Sequence, residues 1–314
     1  MKQNSCRTRD DLLVLEDKNM VDFIQQIING LQIGSIYALV ALGYTMVYGI
    51  VKLINFAHGD VIMIGSYVAI TTIPLMAAMG APAWTCIIAS VIFCAFLGFL
   101  IEAVAYRPLR NAPRLCSIIT AIGMSLFLEN LAMLVFSPNP HPVPKIFSSD
   151  PIMLGQIQVS LNTLLTIVVS LCLMVALQLF VKNSKMGRAM RAVSEDFGAA
   201  KLMGINVNRT ISLTFAIGSG LAAVGSIFYS SSYPIVEPMM GSMLGLKAFI
   251  AAVLGGIGII PGAIIGGLIM GVAESLTKAY INSQLADAVV FGILIVVLLV
   301  KPSGILGKNI KEKV

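Results

Sequence analysis

Three polar side chains, Asn55, His58 and Asp60, lie close together in the stretch YGIVKLINFAHGDVIMIGSY, between the first two apolar runs. A charged side chain at membrane depth costs about 2.5–3.5 kcal/mol on insertion scales, so such groups normally have a polar partner or a polar cavity. Two interpretations stay open. The three side chains line a translocation path, or they belong to a cytoplasmic re-entry loop in which Asp60 opens a helix and Gly59 relaxes the backbone before it.

A second candidate site is the polar segment 182–209, the longest break in the apolar sequence. Good helix formers occupy 188–202, which predicts one short helix, and apolar side chains share one side of it. Such a helix suits the groove of a peripheral protein, or lies on the inner leaflet of a membrane, to which its arginines are attracted. The residues that would carry the coupling role are Lys185, Arg188, Arg191, Glu195, Asp196 and, where the helix would end, Gly204.

Glycines are dense from Gly241 to Gly271, with GGIGIIPGAIIGG at the centre. Pairs with GxxxG spacing, such as Gly262 with Gly266, let membrane helices approach closely, and close packing is the first interpretation. The alternative is a backbone that kinks or slides during a transport cycle, as broken helices do in transporters.

The remaining intramembrane charges have simple candidate partners. Glu102 is near the basic residue Arg107, and Glu274 precedes Lys278 by four residues, the favourable order for a helical ion pair. Lys247 is a further candidate for the translocation path. The alternatives are a pairing between Lys247 and Glu129, which lie towards the outer side in different runs, and a proton relay through such groups. The intramembrane charges are Glu102, Glu129, Lys247, Glu274 and Lys278.

No catalytic set is visible in the sequence. It contains only two histidines, and no motif places a nucleophile beside a base. The cysteines have no metal-ligand spacing, and no Walker motif is present, so we expect no metal, no bound cofactor and no enzymatic activity from this chain. The modest net charge of +6 does not indicate a nucleic-acid partner.

Composition indicates the fold class. Hydrophobic residues make up 57% of the 314 residues and charged residues only 11%, against roughly 25% charged in soluble domains. Because no strand alternation of a barrel is visible, the runs predict an all-α polytopic transmembrane bundle of about 8–10 spans. Two stretches, 46–60 and 254–267, are irregular enough to predict broken or re-entrant helices. The runs cover about 23–50, 61–79, 83–105, 115–136, 159–181, 211–231, 242–260, 263–279 and 286–300.

The distribution of lysine and arginine predicts the orientation. Segments 106–114, 182–209 and the tail 301–314 hold most of the basic residues, and short cytoplasmic loops retain such residues. We therefore expect a multi-pass inner-membrane protein with a cytoplasmic carboxyl terminus. Residues 1–19 form a polar leader, expected to be disordered or to reflect an over-long start, and residues 20–314 form one transmembrane permease domain.

Four long motifs resemble the LivH-type permeases of bacterial branched-chain amino-acid ATP-binding-cassette importers. They include NGLQIGSIYALVALGYTMVYGIVKLINFAHGD, VAYRPLRNAPRLCSIITAIGMSLFLEN, KMGRAMRAVSEDFGAAKLMGINVNRT and KAFIAAVLGGIGIIPGAIIGG. The resemblance implies a heterodimer with a second related permease subunit, two cytoplasmic ATPase subunits that use ATP, a periplasmic amino-acid-binding protein and surrounding lipid. It also implies that segment 182–209 docks on an ATPase, and it assigns no catalytic residue.

Other classes of transporter are the alternatives. A sugar permease of the same broad superfamily would have a similar glycine-rich region, so that only the HGD and YRPLR blocks favour amino acids. An ion-coupled secondary transporter would work without ATPases, with Glu129, Glu274 or Asp60 as sensitive sites. A passive channel or scaffold would need no energy. Neighbouring reading frames for two ATPases and a secreted binding protein would distinguish these classes.

Overall fold

The computed structural model describes residues 9–110, 112–147, 151–154 and 157–307. Within the predicted leader, residues 1–8 lie outside this part, whereas residues 9–19 form the first turns of a helix. The helices are α1 Arg9–Val51, α2 His58–Ala78, α3 Cys86–Ile101, α4 Arg114–Phe136, α5 Leu161–Asn183, α6 Lys185–Glu195, α7 Phe197–Leu202, α8 Val207–Ser232, α9 Met240–Gly255, α10 Ile260–Tyr280 and α11 Ala286–Val300.

Short elements complete the described chain. A π-helical turn, Glu102–Tyr106, and a 3₁₀ turn, Arg107–Leu109, extend α3. Two antiparallel strand pairs are formed by β1 (His141–Pro142) with β4 (Ile235–Val236), and by β2 (Ile152–Leu154) with β3 (Ile157–Val159).

The predicted fold class is confirmed. Eight helical segments of the described residues are long and apolar enough to cross a membrane, and the shorter apolar helix α9 is a ninth intramembrane element. This agrees with the predicted 8–10 spans. Because a helix satisfies its own backbone polar groups, it is the form that such apolar segments take in lipid.

Helices α1 and α8 form the centre of the bundle. In each of them 83% of the most apolar window is buried, compared with 11% for the segment that contains α11. The glycines explain how α1 and α10 approach so closely, because Gly34 lies against Gly267 and Gly271. Gly262 and Gly266 instead face α9, at Gly255 and Ala251. The pair Gly262 and Gly266 thus packs on α9, while Gly267 and Gly271, a second pair with GxxxG spacing, packs on α1. The close-packing interpretation is confirmed.

Helix α2 begins at mid-depth in the bundle. Its first residue, His58, lies against Gly43 of α1, and Gly43 in turn contacts Gly218, which is halfway along α8. Helix α1, however, continues for two more turns to Val51 before it ends. Lys52 then takes a left-handed conformation (φ 56°), and an extended segment returns the chain to mid-depth. The predicted break in the stretch 46–60 is therefore confirmed.

Helix α9 also begins at mid-depth. Gly241 and Gly245 in its first two turns contact Gly59 of α2, so the segment after α8 must return from the end of the bundle to its middle. From there α9 runs to a tight turn, where Gly256 and Gly258 take positive φ values, and α10 begins at Ile260. The predicted break in 254–267 is this turn.

The ends of the helices define two faces. At the first, here called the basic end, the end of α1, the turn at Arg110 and helix α6 surround one cavity. The residues after α11 also reach this end, where Ile305 N–H donates to Leu254 O. At the opposite end, Gln32 of α1 donates to Ser232 of α8, and β1 pairs with β4.

Candidate functional site: a mid-depth cavity and a helical pair at the basic end

The three residues of the polar turn are buried and have different surroundings. Asn55 accepts a hydrogen bond from the Tyr106 hydroxyl (2.9 Å), which holds the extended segment against the π-helical turn. The His58 ring packs edge-on against the Tyr44 ring, with centroids 4.7 Å apart. Asp60 is the third residue of α2, so its carboxylate lies beside the amino-terminal N–H groups of that helix.

A cavity of about 250 Å³ lies at this depth, between Phe56, just before α2, and Ser242, near the start of α9. It is bounded by α1, the extended segment, α4 and α9, and we call it the mid-depth cavity. Its polar wall contains Ser125, Glu129 and Ser242, and the Ser242 hydroxyl donates to the Glu129 carboxylate. Ser125 and Glu129 are also the polar neighbours of Asp60 on α4. The apolar wall is formed by aromatic and aliphatic side chains, including Phe56, Ile122, Leu126, Leu246 and Phe249.

Lys247, also a predicted path residue, lies elsewhere. Its ammonium is 2.9 Å from a Glu274 oxygen and 2.6 Å from an Asp287 oxygen, and it is absent from the residues that line the mid-depth cavity. Glu274 also receives hydrogen bonds from the Tyr37 hydroxyl and from Lys278, each at 2.7 Å. The predicted Glu274–Lys278 pair is confirmed, and Lys247 is part of an ion cluster that joins α1, α9, α10 and α11.

The predicted charge pairing of Glu102 near the basic end is also confirmed. Its buried carboxylate binds the guanidinium groups of Arg107 (3.2 Å) and Arg110. Ser212 of α8 donates to the same carboxylate at 2.5 Å. The cluster fixes the end of α3 and its π-helical turn to α8.

The prediction of one helix over 188–202 was wrong in one respect, because the segment forms two helices, α6 and α7. They are separated at Asp196, which has an extended backbone (φ −153°) and whose carboxylate accepts the N–H groups of Gly198 and Ala199. Asp196 thus caps the amino terminus of α7. Gly204 (φ +79°) follows the end of α7, as predicted for a helix terminus.

Two arginines of α6 stabilise the corner between α5 and α6. The Arg191 guanidinium donates to the carbonyls of Val181 (2.6 Å) and Lys182 (3.2 Å), and Arg188 donates to Asn183 O (3.3 Å). These carbonyls belong to the last turn of α5, where cations are favourable. Both arginines therefore fix α6 to α5, while Lys185 and Glu195 lie exposed on α6.

The apolar face of α6 and α7 packs against the protein itself. Met190, Val193 and Ala200 are buried in the hydrophobic core. The apolar side chains that remain exposed are those at the end of α7, Leu202 (90%) and Met203 (81%), together with the partly exposed Phe197. Sequence analysis did not single out Leu202 and Met203, although two apolar residues directly before Gly204 at a polar helix end were a usable signal.

In this architecture α2 and α9 begin at mid-depth, and the helical pair α6 and α7 lies at the basic end. Such an arrangement is typical of a polytopic membrane transport protein. The family model for the permease component of branched-chain amino acid transport systems matches residues 26–299. The chain belongs to this family of permeases.

Two relatives illustrate the similarity. The chain is 48% identical over 301 residues to the high-affinity branched-chain amino acid transport system permease protein LivH of Salmonella typhimurium, covering 93% of this chain and 98% of that protein. It is 46% identical over 301 residues, with the same coverage, to the corresponding protein BraD of Pseudomonas aeruginosa. A solved structure, PsaBC from Streptococcus pneumoniae in complex with Fab, aligns with 90% of this chain and 92% of its own at 14% identity and a TM-score of 0.46.

Proposed function

We propose that this chain is a membrane subunit of an ATP-driven importer that carries leucine, isoleucine and valine into the bacterial cytoplasm. Support comes first from the near-full-length similarity to permeases named for high-affinity branched-chain amino acid transport. ATP is used by separate ATPase subunits, and this chain supplies the path and the mechanical link.

The basic end faces the cytoplasm in this proposal. Helices α6 and α7 and the turn that carries Arg107 and Arg110 lie together at that end, as the excess of basic residues in cytoplasmic loops requires. Residues 301–307, which follow α11, reach the same end, and in this proposal the carboxyl terminus is cytoplasmic as well. The opposite end, with its two short strand pairs, receives the periplasmic amino-acid-binding protein.

The single observation that supports coupling is the exposed apolar tip of α7. Leu202 and Met203 extend from a pair of helices that is fixed to the bundle by its buried face and by the Arg191 bonds. Such a tip suits a groove on an ATPase subunit. Because the pair is rigidly attached, a force applied at the tip reaches α5 and α8 rather than bending a loop.

The second, related permease subunit covers the mid-depth cavity in this proposal. The cavity contains the Glu129 carboxylate and is bordered by exposed apolar side chains, Ile122 (47%) and Leu126 (54%). A carboxylate next to lipid chains is costly, so a protein surface is the appropriate cover. The translocation path then runs between the two permease subunits, and lipid surrounds the remaining apolar helices.

The proposal is tested by reconstituting the complete complex in vesicles and measuring uptake of labelled leucine with and without ATP. We expect accumulation only with ATP, the ATPase subunits and the binding protein. Uptake by this chain alone, driven by an ion gradient, would instead support a secondary transporter. ATP-dependent uptake of a sugar without uptake of leucine would contradict the proposed substrate class.

The coupling site is tested with the double variant Leu202→Asp, Met203→Asp. We expect the ATPase subunits to be lost on co-purification and uptake to fall to background, while the permease still inserts. Met79→Asp is the control, because Met79 is also apolar and largely exposed (66%) but follows α2 at the opposite end. Retention of the ATPases by the double variant would overturn this docking site.

A further inference from the structure

Two acidic side chains at the mid-depth cavity have no basic partner among the described residues. Asp60 is fully buried, and both of its carboxylate oxygens lack a hydrogen-bond partner within that part of the chain. Glu129 is 5% exposed and accepts from Ser242. The other buried acidic residues, Glu102 and Glu274, both bind basic side chains. Asp60 and Glu129 therefore differ from the acidic groups that only hold the bundle together.

Two helix amino termini lie close to these carboxyl groups, whereas the burial of Asp60 and the nearness of a second carboxylate oppose negative charge on both groups at once. Asp60 is in the first turn of α2, and the partner of Glu129, Ser242, is in the first turn of α9. Both helices begin at mid-depth, and the amino terminus of a helix stabilises negative charge. Glu129 lines the cavity, and Asp60 lies behind this wall as a neighbour of Ser125 and Glu129. Phe56, Leu246 and Phe249 give the cavity an apolar surface.

We propose that Asp60 and Glu129 receive the α-ammonium group of the amino acid as it passes the middle of the membrane, while the apolar wall holds its branched side chain. This inference rests on the proposed function and adds the residues that would recognise the cargo. An ammonium group offers three N–H donors, which suits two carboxylates and the Ser125 hydroxyl between the helices. A buried negative pair gains most from a cation that arrives with the cargo and leaves with it.

A metal ion is a poorer occupant of this place. Within the described part of the chain, no group of three or more histidine, cysteine, aspartate or glutamate side chains is close enough together to hold a metal. Hard cations prefer six or more oxygen ligands, and most of the cavity wall here is hydrocarbon. A cation attached to an apolar body matches both the polar and the apolar part of the wall.

The test measures recognition inside the permease without the binding protein. Leu246→Cys places a thiol on the cavity wall, and its rate of modification by a methanethiosulfonate reagent is followed in the assembled complex. The parent without this cysteine gives the background. Three probes are compared: leucine, 3-methylbutylamine, which retains the ammonium but lacks the carboxylate, and 4-methylpentanoate, which lacks the ammonium.

We expect leucine and 3-methylbutylamine to protect the thiol and 4-methylpentanoate to give no protection. Glu129→Gln and Asp60→Asn should each raise the concentration of leucine needed for protection by about tenfold or more, as for loss of a charge-assisted hydrogen bond. Asp22→Asn, at an exposed position of α1, is the control and should not change protection. Co-purification of all subunits verifies that each variant has folded.

The outcomes separate this inference from the proposed function. If the wild-type complex accumulates leucine but 4-methylpentanoate protects as well as leucine, the ammonium assignment is overturned and the importer assignment is not. Unchanged protection in both carboxylate variants would have the same meaning. If the wild-type complex accumulates no leucine, the proposed function itself fails, whatever the protection pattern.

Discussion

Gly59 of α2 lies directly against Gly241 of α9, and a Cβ atom on either residue would overlap the backbone of the other. The contact joins the first turns of two helices that both begin in the middle of the bundle. The chain reaches this point once from the basic end and once from the opposite end. The position of the mid-depth cavity, between these helix starts and α4, depends on this contact.

Substitution of Gly59 by alanine should therefore destabilise the fold, although it adds only one methyl group. The added methyl group must displace backbone, and overpacking of this kind costs about 1–3 kcal/mol. We expect a lower melting temperature in detergent and reduced leucine uptake. Gly123→Ala is the matched control, because nothing lies within 4 Å of its position and alanine favours a helix. Equal melting temperatures for the two variants would show that the glycine contact is not needed.

The sequence predicted the membrane spans, both breaks and the close-packing role of the glycines, because these depend on local hydropathy and residue size. It could not predict the depth at which α2 and α9 begin. A hydropathy run that starts at mid-depth resembles one that starts at the surface, and only contacts such as His58 with Gly43 distinguish them. The cavity was missed for a related reason, because Phe56, Ser125 and Ser242 are far apart in sequence.

The local sequence pattern singled out residues of the candidate site and residues outside it alike. Asp60 and Asn55 were singled out because charged and amide side chains in an apolar context are costly and therefore rare. Lys247 satisfied this criterion equally well, yet its charge is balanced by Glu274 and Asp287 from other helices. Pairing between distant helices leaves no local pattern. Similarly, the apolar face of α6 does not reveal whether it contacts a partner or its own bundle.

The hydrogen bond between Tyr106 and Asn55 should hold the extended segment before α2 in its position. This segment has no helical hydrogen bonds of its own between Leu53 and Phe56, so its position depends on side-chain anchors. Tyr106→Phe leaves the buried Asn55 amide without this partner, at a cost of about 1–3 kcal/mol. We expect faster hydrogen exchange over residues 53–57 and lower uptake. Tyr48→Phe serves as the comparison, because the hydroxyl that it removes makes no side-chain hydrogen bond in the described part of the chain. If exchange over residues 53–57 became equally fast in Tyr48→Phe, the Tyr106–Asn55 bond would not be the anchor.

Of the two acidic residues in the ion cluster, the buried Glu274 should contribute more to stability than Asp287. Glu274 is 1% exposed and receives bonds from Lys247, Lys278 and Tyr37, whereas the Asp287 side chain is 45% exposed. Removing one partner from a buried pair costs about 3–5 kcal/mol, and an exposed pair contributes about 0–1 kcal/mol. Glu274→Gln should therefore lower the melting temperature far more than Asp287→Asn, as measured by thermal size-exclusion chromatography. A larger effect from Asp287→Asn would reverse this ranking.

The corner between α5 and α6 should depend on the planar guanidinium of Arg191 rather than on its charge. One Arg191 nitrogen lies 2.6 Å from Val181 O, and the group also reaches Lys182 O at 3.2 Å. A lysine ammonium retains the charge but is a point donor that cannot bridge two carbonyls in the same way. Because the site is exposed, we expect Arg191→Lys to cost only about 1 kcal/mol. Its effect should appear locally, as faster hydrogen exchange of the amides in residues 184–190 and as weaker coupling of ATP hydrolysis to uptake. Arg188→Lys, which removes a single bond of 3.3 Å, should change both less, and the reverse order would show that the corner is held by other contacts.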